Sequence, residues 1–185
     1  MTAYNAYVIR SVLENWPLSS VTDVRAPLEI IKGLGFFYRQ RFSFGGESLS
    51  LYEVENDRIR KRYRDPRIHF VLNCASDSCP VLPRRISPNS DLDQQLDEAT
   101  VAFISDPRNV TVYHEEKRLV VSRIFKWYRE DFVAELLARG LPASGGLLLY
   151  LQTVAPEPLA QELAQATDYE LEFHDYDWSL NEAQP

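Results

Sequence analysis

Three histidines and two cysteines are all the imidazole and thiol groups that this 185-residue chain holds. Two cysteines exclude a disulfide framework of the kind that holds small secreted domains together. The chain is read with reduced thiols, as in a cytoplasmic protein. Glycine is scarce, at seven residues. No Gly-rich phosphate loop is present, and neither is HExxH or GxSxG. Long apolar runs are missing too. The best stretch, GGLLLYLQTVA, is too short and too polar to span a bilayer, so a soluble chain and no membrane are expected. Excess positive charge is also lacking: 20 Lys and Arg stand against 27 Asp and Glu, a net −7. No nucleic-acid partner is expected from that balance. The one dense basic run, RIRKRYR at 58–64, reads as a solvated helix end.

What is present is the composition of a folded domain. Hydrophobic residues make up 45% and aromatics 12%, with ten tyrosines, enough for a sizeable core. The N-terminus shows no basic segment followed by an apolar core, so no signal peptide is read. An amphipathic pattern of Tyr4, Tyr7, Val8 and Val12 starts almost at once. It predicts a helix over 3–15 and suggests a chain trimmed at its N-terminus. A second helix is expected at 27–38, then a hairpin about Gly45-Gly46, where glycine supplies positive φ. Ser50 and Glu53 form a capping box opening a helix that runs to about Tyr63. Asp65-Pro66 ends it. The alternation of Ile68, Phe70 and Leu72 predicts a buried strand, left by the loop CASDSCP.

A helix over 91–104 capped by Ser90, a hairpin at 110–122, and a helix over 123–139 closed by Gly140 follow. Short helices are expected after Gly146 and after Pro158. A strand in YELEF then leads into an aromatic tail. Helices and strands mix without βαβ order. This predicts an α+β fold: one domain over 1–185, with a mixed, mostly antiparallel sheet packed by helices.

Four stretches in order carry a resemblance: LSLYEVE (49–55), DPRIHFVLNCASDSCPVL (65–82), IFKWYREDF (124–132) and YDWSLN (176–181). With the opening AYNAY, the chain resembles the family called domain of unknown function 547 over its whole length. That resemblance carries no established activity with it. It implies a domain found alone in bacteria and, in plant proteins, beside a leucine zipper, where the implied role is interaction with other proteins. Two departures stand out. Met1 and Thr2 occupy the place of the family's Trp-Ile-Asn start, and Asn56 stands where many members have His.

The chemistry-bearing residues admit several readings. In a thiol enzyme Cys79 is the nucleophile and His69 its base, oriented by Glu55, Asp177 or Asn5. In a metal clip His69, Cys74 and Cys79 are ligands, but no CxxC or HxxxH pair supports it, and neither a metal nor a cofactor is expected. In a binding domain Cys74 is a small buried hydrophobe, His69 a satisfied core histidine, and Trp127 and Trp178 core and edge aromatics. A Cys74–Cys79 redox pair is a further alternative, although its spacing is not CxxC. The first expectation is an interaction or scaffold domain with a protein partner and no established chemistry. The alternative is a papain- or transglutaminase-like hydrolase or transferase built on Cys79 and His69. A site of either kind centres on those two residues, with Glu55 and Asp177 behind them and Asn5, Cys74, Ser76, Ser78, Trp127 and Trp178 as binding residues. His114 and His174 are expected to face solvent.

Overall fold

The structure is a computed structural model that describes residues 1–25, 33–82 and 91–182. It has the α+β character expected, and its chain divides into two compact units. The first comprises Met1–Arg64, Val71–Ile86 and Asp177–Pro185, the second Asp65–Phe70 and Ser87–Tyr176. Among the described residues no helix is long and apolar enough to cross a membrane.

In the first unit, helix α1 (Thr2–Glu14) buries Tyr4, Val8 and Ser11, one stripe of an amphipathic helix. Tyr7 lies against the hairpin of β1 (Phe42–Phe44) and β2 (Glu47–Leu49). Its ring is 4.8 Å from Phe42 and 4.7 Å from Phe44, and its hydroxyl donates to the Ser43 carbonyl at 2.6 Å. The turn has φ of 60° at Gly45 and 88° at Gly46, which explains two glycines there. The capping box is formed as expected. Glu53 N–H donates to Ser50 Oγ at 3.2 Å, and Ser50 N–H donates to the Glu53 carboxylate at 2.7 Å. The helix opens as α2 (Leu51–Glu53), widens into a π-turn (Val54–Arg60) and closes as α3 (Lys61–Tyr63). Arg64 ends it in the left-handed region at φ 54°. Arg60 donates to Asn56 Oδ1 at 2.6 Å and Lys61 pairs with Asp57, so this basic run is in part a set of local helix pairs. Of the helix expected at 27–38, residues 27–32 lie outside the described residues, and Gly35–Arg39 form a single π-turn.

The second unit begins with a correction. Pro66–Phe70 form a 3₁₀ helix, where the alternation predicted a strand. The Asp65 carboxylate accepts the Arg67 N–H at 2.9 Å, and Ile68 N–H donates to the Asp65 carbonyl at 3.3 Å. This local turn competes with extended backbone. Ile68, His69 and Phe70 are all buried, at 3%, 3% and 2% exposure, so burial here does not follow the two-residue alternation of the apolar side chains. Helix α4 (Leu92–Ile104) is capped by the Asp91 carboxylate, which accepts from Asp93 N–H at 3.2 Å. The expected cap, Ser90, lies outside the described residues.

Strands β3 (Val110–Tyr113) and β4 (Arg118–Val121) pair antiparallel, and β5 (Glu170–Phe173) adds parallel to β4. The strands thus fall into a hairpin in one unit and a mixed three-stranded sheet in the other. The helix expected over 123–139 is broken at Tyr128 into α5 (Arg123–Trp127) and α6 (Arg129–Ala138). Gly140, at φ 74°, closes α6 as expected, with Leu141 N–H donating to the Leu136 carbonyl at 2.8 Å. Helices α7 (Gly146–Val154) and α8 (Leu159–Gln165) complete the unit.

The core of this unit combines aliphatic side chains with a cluster of aromatic rings. Phe70 stacks on Phe103 at 4.8 Å, and Phe132 lies 5.0 Å from Phe125 and 4.8 Å from Tyr150. Burial pushes the ionisation of Tyr150 well up. Its hydroxyl finds no hydrogen-bond partner among the described residues. A buried unpaired hydroxyl costs free energy that phenylalanine does not incur. Tyr150→Phe is therefore expected to raise unfolding stability by about 1 kcal/mol. Urea denaturation measures it, and a loss of stability would show that the hydroxyl is satisfied.

Candidate functional site

The densest gathering of the residues singled out above lies in the first unit, at the loop after Val71. Asn5, on α1, grips the backbone on both sides of Leu72. Its Nδ2 donates to the Val71 carbonyl at 2.8 Å, and its Oδ1 accepts from Asn73 N–H at 3.0 Å. Asn73 is buried, and its side chain closes the neck of the loop. Nδ2 donates to the Pro80 carbonyl at 2.6 Å, and Oδ1 accepts from Ala75 N–H at 2.6 Å. Ala75 takes a left-handed φ of 63°, uncommon for a residue with a Cβ. The chain thereby turns sharply enough to bring residues 74 and 79 together.

Cys74 and Cys79 are joined as a disulfide, with Cα atoms 6.2 Å apart. This corrects the expectation of reduced thiols. The physical reason is the Asn73 bridge and the turn at Ala75, neither of which depends on cysteine spacing. Two donors converge on Cys79 Sγ: the Cys74 N–H at 3.0 Å and the Ser76 hydroxyl at 3.3 Å. Ser76 Oγ also lies 3.1 Å from Cys74 Sγ. Cys79 is 7% exposed, whereas Cys74 is half-buried.

The segment 177–181 lies along the same loop. Asp77 N–H donates to the Ser179 carbonyl at 2.9 Å, and Asn181 N–H to the Ala75 carbonyl at 2.9 Å. Ser78 N–H reaches the Asp177 carbonyl at 3.3 Å, and Ser78 Oγ accepts from Asp177 N–H at 2.9 Å. The Asp177 carboxylate accepts from Ser179 N–H at 2.8 Å, and hydrogen bonding from Ser179 holds its pKa below the usual value. Asp177, Ser76, Ser78 and Cys74 are thus at the loop with Cys79, and Asn5 is at its root. Glu55 accepts from the Tyr4 hydroxyl at 3.2 Å. Trp178 sits within the paired segment.

His69 and Trp127 belong to the second unit. His69 Nε2 is 2.7 Å from Asp131 Oδ2, and its ring stacks on Tyr128 with centroids 3.7 Å apart. Phe132 flanks it at 5.8 Å. Asp131 was not among the orienting residues inferred from sequence, which were Glu55, Asp177 and Asn5. Its signal is spacing: Tyr128, Asp131 and Phe132 fall at i, i+3 and i+4, so they share one face about the start of α6. Trp127 is half exposed and packs on Tyr176 at 4.6 Å. His114 is exposed, with Nδ1 2.9 Å from the Tyr169 hydroxyl. His174, expected to face solvent, is half-buried, and its Nε2 has no hydrogen-bond partner among the described residues. Among the described residues, no three His, Cys, Asp or Glu side chains gather as a metal-holding group.

Chemically, the loop holds a disulfide in which Cys79 is the more buried residue, with two donors at its sulfur, and Cys74 the more exposed. Comparison with known proteins bears on its ancestry. A search of curated proteins and one of solved structures each find no match. A family model described as "Protein of unknown function, DUF547" matches residues 2–104. That span takes in α1, the capped helix, the cysteine loop and α4, while the stretches at 124–132 and 176–181 lie beyond it. Since the match covers more than half of the sequence, the chain belongs to the family of domain of unknown function 547.

Proposed function

We propose that the Cys74–Cys79 loop is a thiol–disulfide exchange site. The observation that supports this is the convergence of the Cys74 N–H and the Ser76 hydroxyl on Cys79 Sγ. Exchange proceeds when an external thiolate attacks one sulfur of a disulfide and the other leaves. Cys74 is the more exposed residue of the pair, so attack is expected there. The S–S bond breaks and its electron pair goes to Cys79, whose thiolate the two donors stabilise. A mixed disulfide now joins Cys74 to the incoming molecule. The second thiol of that molecule attacks its own bonded sulfur, and Cys74 leaves as a thiolate and takes up the proton released. The incoming dithiol departs as a disulfide, and two electrons have passed to the loop. The partner class is thus a dithiol, carried by a small molecule or by a protein.

Ser76→Ala is expected to slow reduction by dithiothreitol about tenfold, because the leaving thiolate loses a hydrogen bond. Rates are read by trapping free thiols with a maleimide in folded protein. A pair that opens only on unfolding would overturn the reading. The alternative of a hydrolase or transferase would use the same Cys79 thiolate with His69 as base. Exchange is preferred because every group it needs has its contacts within one unit.

A different observation favours a second reading, an interaction domain. Tyr38 and Tyr52 stack at 4.3 Å while remaining 45% and 40% exposed. Such rigid, amphipathic rings are what protein interfaces use as anchors.

A further inference from the structure

Resting on the exchange reading above, we propose that segment 177–181 is a redox-linked latch, docked on the oxidised loop and loosened when the Cys74–Cys79 bond is reduced. The segment lies between two short edges. On one side Leu180 N–H donates to the Ser19 carbonyl at 2.8 Å, and Ser179 bridges Ser20. On the other side its partners are all residues of the loop that the disulfide closes: Ala75, Ser76, Asp77 and Ser78. The Ala75 carbonyl accepts from Asn181 N–H with Ala75 held at a φ of 63°. Alanine prefers to leave that region, and the disulfide is one of the constraints that prevents it. Opening the bond removes that constraint and leaves the Asn73 bridge as the remaining hold on the loop, so Ala75 can relax further and its carbonyl can turn away. The amides of Asp77 and Ser78 then lose their aligned acceptors at Ser179 and Asp177.

Linkage makes the effect reciprocal: if closure of the bond favours docking, docking favours closure by the same factor. The latch thereby controls how readily an incoming dithiol opens the loop. Asp177 is a positioning residue here. Its carboxylate holds the turn through Ser179 N–H, and its backbone N–H holds Ser78 Oγ.

The test is native-state hydrogen exchange on the full chain in three forms: oxidised, reduced with dithiothreitol, and as the Cys74→Ser/Cys79→Ser double variant. The amides of Asp77, Ser78 and Asn181 are expected to exchange about tenfold faster in the last two forms than in the first. The amide of Val54, bonded to the Ser50 carbonyl at 3.1 Å, serves as the unchanged reference. As the reciprocal arm, Ser78→Ala is expected to shift the thiol–disulfide equilibrium about threefold toward the dithiol. Equal protection of the three amides in all forms overturns the latch. A pair that resists reduction in folded protein overturns the exchange reading instead, and the double variant still decides the latch.

Discussion

Replacing Asn73 by alanine is expected to destabilise the chain by about 3 kcal/mol, because it strands two backbone groups at once. The Ala75 N–H loses its acceptor and the Pro80 carbonyl its donor, each now at 2.6 Å from the amide. Asn73 itself is 3% exposed, so water reaches the vacated groups poorly. The same change releases the neck of the cysteine loop. The equilibrium constant for closing Cys74–Cys79 against a reference dithiol should fall about tenfold, the equivalent of 1.4 kcal/mol. Asn73→Asp separates the two bonds: it keeps an acceptor for Ala75 and removes the donor to Pro80, and should recover part of the loss. Urea denaturation and a thiol–disulfide titration read the two effects. A cost under 1 kcal/mol with unchanged loop closure would show that Asn73 does not hold the loop.

Arg67→Met in the second unit should cost about 2 kcal/mol at pH 7, between what an exposed and a fully buried ion pair contribute, because Arg67 and Asp65 are half-buried. Arg67 is bidentate to Asp65 and also reaches Asp93 at 2.8 Å and Asp97 at 2.7 Å. Asp65 is the sensitive partner. Burial opposes its ionisation, but hydrogen bonds from the Arg67 side chain and backbone outweigh that, and its pKa lies below the usual value. A depressed carboxyl pKa contributes stability that is complete above the unfolded-state value, near 4, and is lost as pH falls through the folded one. The gap between wild type and variant should therefore stay level from about pH 7 to 5 and narrow below about pH 4. In the variant Asp65 keeps its burial without the cation, so protonation relieves it. A gap that is constant down to pH 3 would show that the pair contributes no pH-dependent stability.

Short-range chemistry was legible in the residues themselves. The Ser50–Glu53 capping box, the Gly45-Gly46 turn and the Gly140 cap each depend on groups within a few positions, and each formed as read. The helical stripe of Tyr4 and Val8 likewise needs only a periodicity and an apolar interior. Where local signals competed, pattern alone misled. Ile68, Phe70 and Leu72 alternate as a strand would, yet the Asp65 carboxylate and Pro66 start a 3₁₀ turn that buries three consecutive side chains.

The sequence by itself determined the α+β class, most helix ends and hairpins, the family, and the stretches worth inspecting. Only the tertiary structure decided what those stretches do to one another. Asn5 and Asn73 are ordinary polar residues until a helix and a loop 68 positions apart meet. His69 finds Asp131 across 62 positions, and Ser78 finds Asp177 across 99. Periodicity reports which side of an element is buried, since burial repeats with the backbone. Pairings of that range leave no repeat along the chain. They arise when packing brings distant backbone together, and so the state of the two sulfurs could be read only from the fold.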